Sequence, residues 1–417
     1  MTPRRFVLAA GLVVGCHQPL VLPLATTHRS TALGPADGRP MPVLACEAAV
    51  AFVLEHDDTL RAARAGLPVS RARVAAAGRW DRPELRLRDD IASPGEAIRV
   101  TLHMDLPVPG VAGAEENAAL AQGLVTQAEL TQLAGLLTAE VQIGFAELRH
   151  AVELTRLEAE AAAGSAAFHA SVTERRQAGL TTNIAATEAE ISASLADVEK
   201  GRAANAERGL REGLERRFGL TPELNGPCLS TPPVPTSAAT ARAADARVPE
   251  ARAADARAQV ADAKAFAERR KLWLWPTSLE IGWSRDVTGS TQDDRLLVEI
   301  ALPLPLPGTD AAGVASAAAQ QALEVAHADR RSWDIARAEA ASNHDAARLH
   351  FERLEREAPA IETARRLAKD AEAEGATADD LTRLQARIFE WGRQRSEAAL
   401  VLATRLAEWQ RLEGTTR

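Results

Sequence analysis

The residues best able to do chemistry are few: the chain holds nine histidines and three cysteines. His327, His344 and His350 fall on one long helical stretch, but no two sit at i, i+4 with a third ligand beside them. A zinc centre needs such spacing, so surface positions are expected instead. No cysteine pair has metal-ligand spacing, and neither a glycine-rich phosphate loop nor a nucleophile elbow is present. No catalytic constellation emerges, and neither a cofactor nor a resident metal is implied. Asp379 and Asp380, followed by Arg383, form the most concentrated charge near a helix break. Acids there favour a helix macrodipole.

The first cysteine carries a different signal. Met1-Thr2-Pro3-Arg4-Arg5 is a basic start, Phe6 to Gly15 is apolar but too short to span a bilayer, and Val13-Val14-Gly15-Cys16 follows. This resembles a bacterial lipobox: residues 1–15 read as a lipoprotein signal peptide, with Cys16 the lipidated residue. Acyl chains contribute about 0.8 kcal/mol per buried methylene, enough for a firm anchor when two or three are present. No later run has 18 apolar residues, so any membrane crossing must use strands in a closed barrel.

The elements that would position these residues are written twice. Hydrophobic residues make up 46% of the chain, yet aromatics are 4% and Tyr is absent, which favours long helices with small-residue seams. A formal charge of -8 gives no reason to expect nucleic acid. One ordered series recurs after roughly 195 residues. In the first copy a helix over about 47–79 leads to Pro83-Glu84-Leu85-Arg86-Leu87-Arg88, a loop over 89–95, a strand over 98–106 and Pro107-Val108-Pro109-Gly110. A very long helix to about 178 follows, broken by Gly179-Leu180-Thr181, and a last helix ends at Phe218-Gly219. The second copy has a helix over about 237–272, strands over 276–281 and 296–302 around a loop over 285–294, and Pro305-Leu306-Pro307-Gly308. Its long helix reaches 374, Gly375-Ala376-Thr377 breaks it, and a final helix ends near 414. Between the copies, 221–236 is Pro-rich and reads as a linker.

The strands alternate with period two. Ile98, Val100, Leu102, Met104 and Leu106 stand against Arg99, Thr101, His103 and Asp105; Leu279, Ile281 and Trp283 stand against Glu280, Gly282 and Ser284. A half-buried soluble sheet shows this pattern, as does a barrel with lipid outside and water inside. Four strands cannot close a barrel, so the barrel reading predicts a homo-oligomer. A helix of about 67 residues is about 100 Å long, matched by two half-length helices in series. Thr181 and Thr377 are expected N-caps. Trp80, Trp273, Trp275 and Trp283 gather near strand ends, where they fit an interfacial girdle or packing at the strand–helix junction.

The duplicated order resembles the TolC family of outer-membrane efflux proteins over about 46–414. Ala75-Ala76-Ala77-Gly78-Arg79-Trp80-Asp81-Arg82-Pro83-Glu84-Leu85 resembles its helix end and strand start. Ile300-Ala301-Leu302-Pro303-Leu304-Pro305 resembles the strand before the long helix, and Pro359 resembles a mid-helix proline before the second tip. The Gly-Arg-Trp and Pro-Leu-Pro wording is closest to the cobalt–zinc–cadmium and copper efflux subgroup. The resemblance implies a mainly α fold with a small β part: duplicated long-helix hairpins forming an α-barrel, and four strands per chain contributing to a trimeric transmembrane β-barrel. It implies a segment 16–44, a first repeat 45–220, the linker 221–236 and a second repeat 237–414. The expected role is a passive duct in the outer membrane of a Gram-negative bacterium, lipid-anchored and largely periplasmic. Expected partners are two further copies, outer-membrane lipids, a periplasmic adaptor and an inner-membrane pump. Gly179, Leu180, Thr181, Gly375, Ala376 and Thr377 become adaptor-docking tips, and Asp379 and Asp380 an entrance gate. Cys46 and Cys228, both at the mid-height of the tunnel in an oxidising compartment, become a disulfide pair. A periplasmic adaptor lipoprotein, with one hairpin between lipoyl-like segments, and a lipid-anchored coiled-coil scaffold, without paired strands, are the alternatives.

Overall fold

The computed structural model describes residues 41–77, 83–90, 96–106, 108–225, 248–271, 275–288, 291–302, 311–374 and 378–413. The side chains of 88–90, 96–98, 286–288, 291–293, 311–312, 369, 371–374, 378–382 and 413 lie outside that description. The chain is mainly helical with a small β part. In order it runs β1 (Val43–Ala45), α1 (Cys46–His56), α2 (Asp58–Ala76), β2 (Glu84–Asp90), β3 (Glu96–Asp105), α3 (Val111–Gln177), α4 (Asn183–Phe218) and β4 (Thr221–Glu223). It continues through α5 (Pro249–Lys271), β5 (Ser278–Thr288), β6 (Thr291–Ala301), α6 (Ala311–Glu374) and α7 (Ala378–Glu413).

Helix length sets the layout. α3 has 67 residues and α6 has 64, each about 100 Å at 1.5 Å per residue. The shorter helices lie against them in series: α1, α2 and α4 pack on α3, and α5 and α7 lie between α3 and α6. α4 therefore ends near the middle of α3, where Arg217 makes a bidentate pair with Glu140 at 2.9 and 3.0 Å. The chain then crosses at mid-height, and β4 pairs parallel with β1, Thr221 opposite Val43. The first three residues of the Pro-rich segment are thus a strand, because Pro222 needs no ladder donor at this position on a two-stranded edge.

The initial helix divides, where a continuous run over 47–79 is expected. Asp57 sits in an extended conformation and its carboxylate accepts from the Leu60 amide at 2.9 Å, capping α2. Cys46, Ala49 and Val53 of α1, Leu60 of α2, and Val141, Phe145 and Leu148 of α3 close one apolar cluster with Leu214 and Phe218. Cys46 in that cluster is disulfide-bonded, and its partner lies outside the described residues. The second copy builds a smaller cluster at the corresponding level from Val248, Ala251, Trp333, Ala340, Leu406, Trp409 and Leu412.

β2, β3, β5 and β6 form one antiparallel sheet in that order, so the two copies meet at the β3–β5 ladder. The β5–β6 hairpin is longer than expected. Arg285 through Thr288 pair with Thr291 through Asp294 where a loop over 285–294 is expected. Val287 and the threonines have the β-branched side chains that sustain pairing to the turn.

Candidate functional site

The sheet separates two chemistries by register. Leu85 pairs with Leu102, Leu102 with Ile281 and Ile281 with Val298. Leu87, Val100, Trp283 and Leu296 make the next row on the same face. Met104, Leu279 and Ile300 make a third row. These large apolar groups meet no core: Leu87 is 70% exposed and Leu296 is 77% exposed. On the opposite face Thr101 and Ser284 are small and polar yet only 4% and 5% exposed. A soluble sheet buries its apolar face, whereas this one crowds its polar face. Gly282, opposite Thr101, is part of that crowding. A Cβ there would overlap the Thr101 methyl and lie 2.7 Å from the Val100 carbonyl oxygen.

The apolar face ends in charge. Beyond Trp283, Arg285 forms a bidentate pair with Asp294 at 2.8 and 3.1 Å, and its guanidinium lies 4.8 Å from the Trp283 ring centre. That combination of Trp and ion pair suits the edge of an apolar slab. Trp275, at the other end, is also exposed, while Trp80 and Trp273 lie outside the described residues. Among the described residues β2 and β6 each have one neighbour in the sheet, leaving two edges without a strand partner there. Such edges invite strands from another chain.

At the far end of the molecule, α3 stops in a Schellman turn. The Leu180 amide donates to the Arg175 carbonyl at 2.8 Å and the Gly179 amide to the Arg176 carbonyl at 3.0 Å. Gly179 takes φ +72, which is strained for residues with a Cβ. The expected N-cap Thr181 is displaced by one residue. The turn occupies Gly179 and Leu180, and Thr182 reaches the extended conformation whose hydroxyl accepts from the Ala185 amide. Leu180 and Ile184 are exposed beside Thr181 at this tip, and Ile191, Leu195 and Val198 continue an exposed stripe along α4. Gly375, Ala376 and Thr377 lie outside the described residues, as do Cys16, Cys228 and the side chains of Asp379 and Asp380. The latter two belong by backbone to the first turn of α7.

The histidines do not gather. His327 and His350 are exposed, as expected, but His344 is 4% exposed and stacks on Trp409 at 5.3 Å. An Ala-rich surround leaves room for the imidazole there, and burial pulls its pKa below the ordinary histidine value. No group of three or more His, Cys, Asp or Glu able to hold a metal occurs among the described residues. An open groove of about 410 Å³ beside Pro359 is lined by paired charges, including Arg395 with Glu355 at 2.6 Å. No described helix is long and apolar enough to cross a membrane. Register across strands was the feature sequence reading missed, since it depends on hairpin length; the capping pattern at Asp57 was legible in principle from Asp-x-x-Leu before an apolar period.

The fold is similar to that of outer-membrane channels of known structure. The fold matches CusC, described in relation to transmembrane channel formation, with a TM-score of 0.71 and 14% identity over 92% of this chain and 99% of that one. It matches a membrane protein from Pseudomonas aeruginosa (TM-score 0.70, 18% identity, 91% and 98% covered). It also matches the outer membrane protein VceC from Vibrio cholerae (TM-score 0.69, 15% identity, 88% and 96% covered). No protein-family model matches the sequence, and no curated protein matches it.

Proposed function

We infer that this chain is one subunit of a trimeric outer-membrane channel, a passive duct rather than an enzyme. The observation that carries this reading is the four-stranded sheet with its apolar face exposed, its polar face crowded and both edges open among the described residues. Three copies set edge to edge satisfy every edge strand and turn the apolar rows to lipid. α4 and α6 lie at opposite margins of the helical layer. The exposed stripe of Ile184, Ile191, Leu195 and Val198 on α4 and exposed Val314, Ile335 and Leu349 on α6 supply apolar surface for neighbouring copies.

In this reading the helices form a periplasmic tunnel continuous with the barrel. The tips around Gly179, Leu180 and Thr181, and around Gly375, Ala376 and Thr377, dock a periplasmic adaptor. That adaptor links the duct to an inner-membrane pump. Asp379 and Asp380 supply the entrance carboxylates, Cys16 carries the lipid anchor, and Cys228 is the disulfide partner of Cys46. The cargo is a small molecule or metal ion delivered by the pump. Fractionation with heat-modifiable gel mobility tests the core of the reading. The expected result is a trimer in the outer membrane that dissociates on boiling; a monomer released to the periplasm by Cys16→Ser would overturn it.

A further inference from the structure

The crowded face of the sheet carries an order of its own. Glu84, His103, Glu280 and Glu299 occupy one row across the four strands. Arg86, Thr101, Gly282 and Leu297 make the next, and Arg88, Arg99, Ser284 and Arg295 the one beyond. Asp90, Ala97, Asp286 and Asp293 hold the following register position. Charge on this face is therefore sorted into layers: carboxylates at Glu84, Glu280 and Glu299, then arginines at Arg99 and Arg295. We propose that these layers are specificity determinants of the duct, an arginine ring of Arg99 and Arg295 standing outside a carboxylate ring of Glu84, Glu280 and Glu299. The proposal rests on the reading of the sheet as part of a channel wall with its polar face toward the lumen.

The spacing makes the layers separable to a passing solute. The glutamate and arginine rows are four residues apart, about 13 Å along a strand. That exceeds the Debye length of about 8 Å at physiological ionic strength, so neither row cancels the other at the wall. Local pairing offsets part of the carboxylate charge. Arg86 is held by Glu84 at 3.0 Å, and His103 lies 3.7 Å from Glu280 and 3.3 Å from Asp105, all within the inner layers. The arginine layer thus attracts small anions and the glutamate layer small cations. Each small ion meets one favourable and one unfavourable ring inside the barrel, independently of any gate at the helix tips.

Leu297 lies in the row between the two layers and reports on both. The test uses the full-length chain in outer-membrane vesicles. Leu297→Cys is labelled with a negatively charged sulfonate and a positively charged trimethylammonium methanethiosulfonate, and the unsubstituted protein serves as the blank. Replacing both Arg99 and Arg295 with Gln is expected to lower the anion-to-cation rate ratio about three- to five-fold, the size expected for two screened charges roughly 7 Å away. Glu280→Gln with Glu299→Gln is expected to raise it by a similar factor, and Arg→Lys at both arginines to leave it unchanged. If the double Gln protein fails to assemble, Arg295→Gln alone is expected to give about half the shift. Unchanged ratios in an intact trimer overturn the charge layers while leaving the channel standing. Labelling of Leu296→Cys with no labelling of Leu297→Cys overturns the assignment of faces. Absence of a heat-modifiable trimer in the unsubstituted protein overturns the channel reading itself, and the layers with it.

Discussion

The two copies build the same crossing point with different materials. In the first, Leu60, Val141, Phe145 and Leu148 are at most 1% exposed and pack with Phe218 and Leu220 in one apolar cluster. In the second, Trp333 and Trp409 do the filling among alanines, with His344 stacked on Trp409. Its polar atoms are less well served: among the described residues, Trp333 Nε1 and Glu250 Oε2 are buried without a hydrogen-bond partner. Buried polar groups without partners cost about 1–3 kcal/mol each. The first crossing is therefore the rigid one and the second the more easily loosened, although both serve helices of nearly equal length.

The largest expected effect tests the rigid side. Phe145→Ala removes a ring at the centre of the first cluster and leaves a cavity between α1, α3 and α4. A loss of about 3–5 kcal/mol is expected, because the surrounding long helices collapse little. Amide hydrogen exchange in detergent checks it: protection in α1 and the end of α4 should fall far more than in α5 and α7. Equal loss in both copies would show that the two crossings unfold as one unit.

The second side is expected to improve on substitution. Burial raises the Glu250 pKa, opposed by its own backbone hydrogen bond and by Arg411. A carboxyl with a raised folded pKa contributes stability below its unfolded value near 4.5, and loses it as pH rises through the raised folded value. At neutral pH the charge is a burden, so Glu250→Gln should stabilise α5 by about 1 kcal/mol. Exchange protection of α5 that rises at pH 7 but not at pH 4 is the outcome that sharpens the contrast; a decrease at pH 7 would erase it.

His344 extends the same comparison to weak acid. Burial lowers its pKa from 6.5, with Asp345 raising it and Arg348 lowering it further. The unfolded state then takes up its proton first as pH falls. Stability is complete above 6.5, declines through the window between 6.5 and the lowered folded value, and is level below it. His344→Phe keeps the stack on Trp409 and removes the proton. Its protection factors in α6 and α7, rates corrected for intrinsic exchange, should be flat from pH 7 to 5, where those of the unsubstituted chain fall several-fold. A fall of the same size in both proteins would assign the pH response elsewhere.

Much of this contrast was out of reach of the sequence, and the reason is physical. Period-two alternation and the glycine breaks are local signals, so the strand pairs, the long helices and the tip at Gly179 were legible. The helix break at Asp57 carried only its capping pattern as a signal, and the helix-forming residues on either side masked it. Whether His344 faces solvent depends on which stripe of a 64-residue helix meets its neighbours, and an Ala-rich helix carries little amphipathic signal to fix that. Rows on the sheet depend on hairpin register: the expected loop over 285–294 would have left Arg285 unpaired, whereas the observed ladder sets it against Asp294. For the candidate site, Gly179, Leu180 and Thr181 sit at an exposed turn, with the cap moved to Thr182.

The smallest effect concerns one interhelical ion pair in each copy, at the crossing in the first and beside Pro359 in the second. Arg217 with Glu140 in the first copy is bidentate, while Arg395 with Glu355 in the second is held through a single short contact of 2.6 Å. Both pairs are about one-third to two-fifths exposed, so water and salt screen them. Glu140 holds the Arg217 guanidinium more firmly charged, but that gain is discounted at such exposure. A double-mutant cycle of Arg217→Ala and Glu140→Ala should give a coupling of about 0.5–1 kcal/mol at low salt, falling in 0.5 M salt. The single-contact pair should give less than the bidentate one, because two parallel hydrogen bonds add geometric restraint to the charge. A larger coupling at Arg395 and Glu355 would reverse the ranking of the two pairs, making electrostatics the stronger brace of the second copy's helices where packing braces the first.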